Sequence, residues 1–201
     1  MMIEMYQRAD TAMEKLRKLI RREFAKSRQM MAMDEINVIR SSEKLYTTLA
    51  VANQTAFLKL ARDRYEDITG QKAEGIITIA WLLLILLGYN PVTEYIYDNE
   101  VIRKRERFAE SMIASANKLA MIRRAMSLWL GQTEQFLVLV EDAAVLEAYK
   151  ALGVKRVRWV TQEDEKTCET CSPRNDRVYP INKVPPKPHR NCRCYLVPVE
   201  G

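Results

Sequence analysis

The sequence predicts an α+β protein, with a long-helix N-terminal body and a small Cys/His-clamped α+β C-terminal domain. Three observations lead there. Before residue 173 the only proline is Pro91; after it come Pro173, Pro180, Pro185, Pro186, Pro188 and Pro198. Over the first 150 residues apolar side chains recur at steps of three and four, the period of a helix face. All four cysteines and the only histidine crowd together near the end, as Cys168-Glu169-Thr170-Cys171 and His189-Arg190-Asn191-Cys192-Arg193-Cys194. Proline removes an amide donor and restricts the residue before it, so the tail cannot sustain long helices and the body can.

The first helix is predicted over 4–33, with Leu16, Leu19, Ile20 and Phe24 as its apolar stripe. A second is predicted over 35–68, carried by Leu45, Leu49, Ala52, Ala56 and Leu60 and ended by Thr69-Gly70. An apolar helix follows from about Gln71 and stops at the turn Gly88-Tyr89-Asn90-Pro91. Its run Ile76–Leu87 falls short of the ~20 residues that span a bilayer, so it reads as a buried central helix and membrane contact is not expected. One long helix is predicted from Val92 or Val101 to Leu130, on the face of Met112, Ala116, Leu119, Met126 and Trp129. Gly131 marks a break or a packing site. A further helix over 133–152 ends at Gly153, a good C-cap. The β-branched content of 154–161 predicts a strand. Helix, glycine turn and strand then form one unit with the cysteine segment, beginning near residue 133. The division is therefore 1–132, a helical scaffold or docking domain, and 133–201, the cysteine-bearing domain.

An apolar fraction of 48% in 201 residues allows a sizeable core. The net charge of +6 suits a polyanion or an acidic partner without demanding either. The start, Met1-Met2-Ile3-Glu4-Met5, has no apolar h-region of a secretory leader. Arg103, Lys104, Arg105 and Arg107 cluster near one helix start. They read first as a solvated face and second as a contact for DNA or an acidic partner.

The cysteine segment carries the candidate chemistry. A CxxC turn aims two thiolates at one point, and a CxC pair supplies two more. Four such ligands satisfy tetrahedral zinc, which would staple a segment too short for a core of its own. Cys168, Cys171, His189, Cys192 and Cys194 are five candidates for four positions, and spacing does not choose among them. Disulfides remain a second way to close the cluster. A redox CxxC is a weaker rival, because Ser172-Pro173 follows at once where an oxidoreductase would start a helix. No acid–base pair accompanies the thiols in sequence. A zinc-dependent nucleic-acid-binding module is the alternative, with Lys187, Arg190, Arg193 and Tyr195 as its contacts.

At these residues the chain resembles the Mu F-like family of phage head morphogenesis proteins, also called minor head or minor capsid proteins. The resemblance rests on Trp159, Thr161, Asp164, Thr167, Cys168, Cys171, Pro185, Pro186, His189, Asn191, Cys192, Arg193 and Cys194. Ala148, Tyr149, Gly153 and Val154 extend it backward, so that it covers about residues 133–198. The family's usual glycine after the second cysteine is absent, and Asn175-Asp176-Arg177 stands there as residues that also serve turns. The resemblance implies a non-enzymatic structural protein of a tailed-phage or prophage virion, in the head interior or at the portal vertex. It would act in procapsid assembly in the host cytoplasm. The implied partners are the portal protein, major capsid or scaffold proteins and, in some members, packaged double-stranded DNA, with no small-molecule substrate.

Overall fold

The computed structural model describes residues 6–77, 96–161, 169–188 and 192–199. Its helices are α1 (Gln7–Lys26), α2 (Glu35–Thr69), α3 (Ile96–Ala114) and α4 (Lys118–Ala151). Its strands are β1 (Arg156–Val160), β2 (Val178–Pro180) and β3 (Tyr195–Val199). The protein is thus an α+β fold, a long helical N-terminal region followed by a small cysteine-bearing sheet.

The four helices share one core because each carries a single apolar face. On α1 this face is Ala9, Met13, Leu16, Ile20 and Phe24, all buried. A 3-10 stretch, Ser27–Ala32, prolongs α1 toward the expected end at residue 33. Asp34 then caps α2, its Oδ1 accepting from the Asn37 N–H at 2.9 Å. Gly70, left-handed at φ 67°, closes α2 where Thr69-Gly70 was expected to. Phe24, Tyr46, Phe108 and Trp129 knit the four helices through edge contacts, among them Tyr46–Trp129 at 5.3 Å between centroids.

Three expectations about the helices need correction. Residues 71–77 form a turn, not the start of an apolar helix; Gly75 is left-handed (φ 82°) and the Ala73 N–H is held by Glu66 Oε1 at 3.0 Å. Most of that expected helix, and the turn at Asn90-Pro91, lie outside the described residues. The single helix predicted to reach Leu130 is broken at 115–117. There Ser115 Oγ accepts from the Asn117 N–H, and Asn117 Oδ1 caps the new helix at Ala120 N, both at 3.1 Å. Short polar side chains compete with the backbone ladder in this way. Finally, Gly131 breaks nothing. A mid-helix glycine costs only about 1 kcal/mol, and burial of the flanking Trp129, Thr133, Phe136 and Leu137 offsets it. Consequently α4 runs unbroken through the position where 132 and 133 were divided.

This helix serves two cores. Phe136, Leu137, Val140, Ala144 and Ala148 belong to the helical core. Leu146 belongs to a second core with Val157, Trp159, Cys171, Cys192, Cys194 and Leu196. Gly153, at φ 77°, turns the chain out of α4 into β1. The sheet is antiparallel in the order β2-β1-β3, with Trp159 opposite Leu196 and Val157 opposite Tyr179. Val157 and Trp159 face inward while Arg156 and Arg158 face out, the alternation of a half-buried strand.

An ionisable side chain sits inside the helical body. Glu141 of α4 is fully buried, 3.8 Å from Arg64 Nε of α2, and neither carboxylate oxygen has a hydrogen bond of good geometry. Burial pushes its pKa up to about 8, against the opposing pull of Arg64.

Candidate metal centre

Two local structures bring the cysteines together. The first is a tight turn after Cys171. Pro173 opens a short 3-10 helix over Ser172–Arg174, and the Arg174 N–H returns to Cys171 O at 2.9 Å. The chain then reverses through Asn175 and Asp176, which is left-handed at φ 59°. The Asp176 N–H bonds to Trp159 O and the Trp159 N–H to Arg177 O, both at 2.8 Å, so the reversal locks onto β1. Asn175-Asp176 thus forms the turn expected at these residues.

The second structure is the extended approach to β3. Residues two apart in extended chain point the same way. Cys192, Cys194 and Leu196 all face the interior, while Arg193 faces out. Cys171 Sγ lies 3.6 Å from Cys192 Sγ, and the sulfurs of Cys171, Cys192 and Cys194 are all within 4.8 Å of one another. Each of the three residues is at most 5% exposed.

These distances fit a metal better than a covalent link. A disulfide needs about 2.05 Å between sulfurs, well short of the 3.6 Å between Cys171 and Cys192. Four thiolates about 2.3 Å from a tetrahedral ion stand about 3.8 Å from one another, close to the separation found. A hydrogen bond with Cys194, and then burial, push the Cys192 thiol well above its usual value. The same hydrogen bond, from Cys192, holds the Cys194 thiol below its own. The Trp159 indole N–H adds to that effect; it is buried with no hydrogen-bond acceptor of good geometry, and a thiolate at Cys194 gives it one. The cluster is thus a plausible metal site with three protein sulfurs. Cys168 and His189, the two candidates for a fourth position, lie outside the described residues, as do Asp164, Thr167, Arg190 and Asn191.

The other sequence-predicted residues fall as follows. Trp159 packs between Tyr179, at 6.4 Å between centroids, and the Arg174 guanidinium, 5.2 Å from its ring. Arg174 also donates to Pro186 O at 2.8 Å, tying the segment of Pro185 and Pro186 to the first turn. Arg193 is exposed and pairs with Asp10 at 3.4 Å. Lys187 is not available at the surface: its side chain is 11% exposed, and it pairs with Asp142 Oδ2 at 2.8 Å. On α3, Arg103 and Lys104 pair with Glu100, and Arg105 with Glu43 and Glu106, while Arg107 stays exposed.

Sequence reasoning missed the polar hub behind the cysteines. The Tyr6 hydroxyl lies 2.9 Å from Asp142 Oδ1 and 2.7 Å from Cys194 O, and accepts from Lys187 Nζ at 2.5 Å. Lys187 also donates to Cys192 O at 2.8 Å and lies 4.6 Å from the centre of the Tyr6 ring. Burial raises the pKa of both Tyr6 and Asp142, with the Asp142 charge adding to the Tyr6 shift and Lys187 opposing that of Asp142. The hub fastens the start of α1 and the middle of α4 to the backbone of the CxC segment. The one sequence signal was Lys187 itself, a cation fixed between Pro186 and Pro188.

Compared with protein-family models, with curated proteins and with solved structures, the chain matches none.

Proposed function

We propose that zinc closes the C-terminal lobe and that the chain is a non-enzymatic minor head protein of a tailed phage or prophage. The observation that carries the metal half is the convergence of three buried sulfurs within 4.8 Å of one another, with Cys171 and Cys192 at 3.6 Å. Zinc suits such a site because it has no redox chemistry and accepts tetrahedral thiolate ligation. Cys168 or His189 supplies the fourth ligand in this reading. The inward aim of the thiols suits a staple more than a nucleophile, which needs access to its substrate. The head-protein half is supported by the Mu F-like pattern running from Trp159 to Cys194. Its place is the head interior or portal vertex, and its partners are the portal and the capsid or scaffold proteins.

The test has two arms. Elemental analysis of freshly reduced protein is expected to find zinc at about one ion per chain, with Cys171→Ser and Cys192→Ser losing it and melting at lower temperature. Co-expression with a portal protein is expected to yield a complex or head particles containing the chain. If the serine variants keep fold, metal content and assembly, the clamp is incidental. If the chain never enters portal complexes or particles, the head-protein reading falls.

A further inference from the structure

The CxC strand is held by its backbone as well as by its sulfurs. The Trp159 N–H donates to Arg177 O and the Trp159 carbonyl accepts from the Asp176 N–H, so both face β2. Trp159 and Leu196 opposite it therefore form a non-hydrogen-bonded pair, and the Leu196 carbonyl points away from β1. In extended chain the carbonyls of residues two apart share one edge. Cys192, Cys194 and Leu196 follow that step, and a different side chain meets each carbonyl. Lys187 Nζ donates to Cys192 O at 2.8 Å, the Tyr6 hydroxyl lies 2.7 Å from Cys194 O, and the Tyr149 hydroxyl lies 3.3 Å from Leu196 O. Tyr6 immediately precedes α1 and Tyr149 sits on α4, so the helical body supplies two of these partners. It also anchors the third, because Lys187 pairs with Asp142 of α4 and donates to Tyr6.

Resting on the zinc reading of this site, we propose that Tyr6 and Lys187 are positioning residues of the metal centre, and that ion loading and the seating of Tyr6 at the start of α1 form one linked equilibrium. A carbonyl fixed in direction fixes its planar peptide unit. Through it the hub sets the directions in which Cys192 and Cys194 present their sulfurs to Cys171. Removing such a partner of a ligand residue typically weakens metal binding by about 10–100-fold. Linkage makes the effect reciprocal: the factor by which seated Tyr6 strengthens ion binding is the factor by which the ion strengthens the seating of Tyr6. The Asp10 N–H bonds to Tyr6 O at 2.8 Å, so this amide is protected while Tyr6 is in place. The remaining tie between α1 and the lobe, Asp10 with Arg193, is exposed on both sides and contributes little. Loss of the ion thus loosens the start of α1, while Leu16, Ile20 and Phe24 keep the rest of the helix packed.

The test uses the full-length, reduced chain. Zinc affinity is measured by competition with a chromophoric chelator in the unaltered protein and in Tyr6→Phe, Lys187→Met and Val38→Ala. The first two variants are expected to bind zinc about 10–100-fold more weakly. Val38 is buried near the start of α2, about 39 Å along that helix from Arg64, the residue facing Glu141. Val38→Ala should therefore loosen the helical core and leave zinc affinity unchanged. With cobalt(II) in place of zinc, the thiolate-to-metal absorption should change in Tyr6→Phe and Lys187→Met and not in Val38→Ala. In the unaltered chain, zinc should slow hydrogen exchange at the Asp10 amide by about the same 10–100-fold, and Cys171→Ser should abolish that slowing. The exchange measurement stands even if a hub variant folds poorly. Equal zinc affinity or identical cobalt spectra in all four proteins, an equal loss in Val38→Ala, or Asp10 exchange indifferent to bound zinc would each overturn the proposal and leave the metal site standing. If the unaltered chain takes up no zinc, the metal site and the proposal fall together.

Discussion

Replacing Glu141 with glutamine should stabilise the protein, and by an amount that depends on pH. Glu141 lies buried in the helical core with neither carboxylate oxygen well bonded, and its pKa stands at about 8. An unfolded glutamate titrates near 4.3. The folded state therefore holds this proton more tightly. Stability from the group is fully present below about pH 4.3 and is lost as pH rises through 8. Integrated over that window, the penalty reaches about 5 kcal/mol at pH 9 and only about 1 kcal/mol at pH 5. Glutamine has the same shape and never ionises. Urea unfolding of both proteins at pH 5, 7 and 9 measures the difference, and effects of pH on the cysteines cancel between them. The expected result is an advantage for Glu141→Gln that grows by several kcal/mol from pH 5 to pH 9 at constant m-value. A difference that does not change with pH would refute the reasoning, as would a wild type more stable at pH 9.

Two further perturbations probe the lobe. Tyr6→Phe removes the hydroxyl shared by Asp142, Lys187 and the Cys194 carbonyl, and should cost about 2–3 kcal/mol in denaturant melts. It should also make the first turns of α1 more open to proteolysis; an unchanged midpoint would show that the hub contributes nothing. Asp176→Gly relieves a left-handed side-chain residue on an exposed turn and should raise thermal stability by about 0.5–1 kcal/mol, whereas Asp176→Val should lower it.

The legible part of this fold is the part written in local pattern. The apolar stripe of α1, the Gly70 and Gly153 caps, and the β-branched run of β1 each fix an element from neighbouring residues alone. Convergence of Cys171, Cys192 and Cys194 was legible for a related reason: the CxC spacing aims two sulfurs the same way along extended chain. Illegible were the features that depend on competition or distance. The break at Ser115–Asn117 arises from side chains that only slightly prefer a cap to a helix. Helix α4 continues through Gly131 because tertiary burial outweighs a weak local cost. The hub joins Tyr6 to Asp142 and Lys187 across 136 and 181 residues, a span with no periodic trace.

The continuity of α4 bears on how the protein can be taken apart. Its 34 residues make a rod about 51 Å long. Severing the chain between Gln132 and Thr133 would cut that rod and leave Phe136, Leu137 and Val140 wetted on one fragment, with their partners wetted on the other. Neither piece would be a viable module, and heating the intact molecule should melt both ends of the rod in one cooperative step.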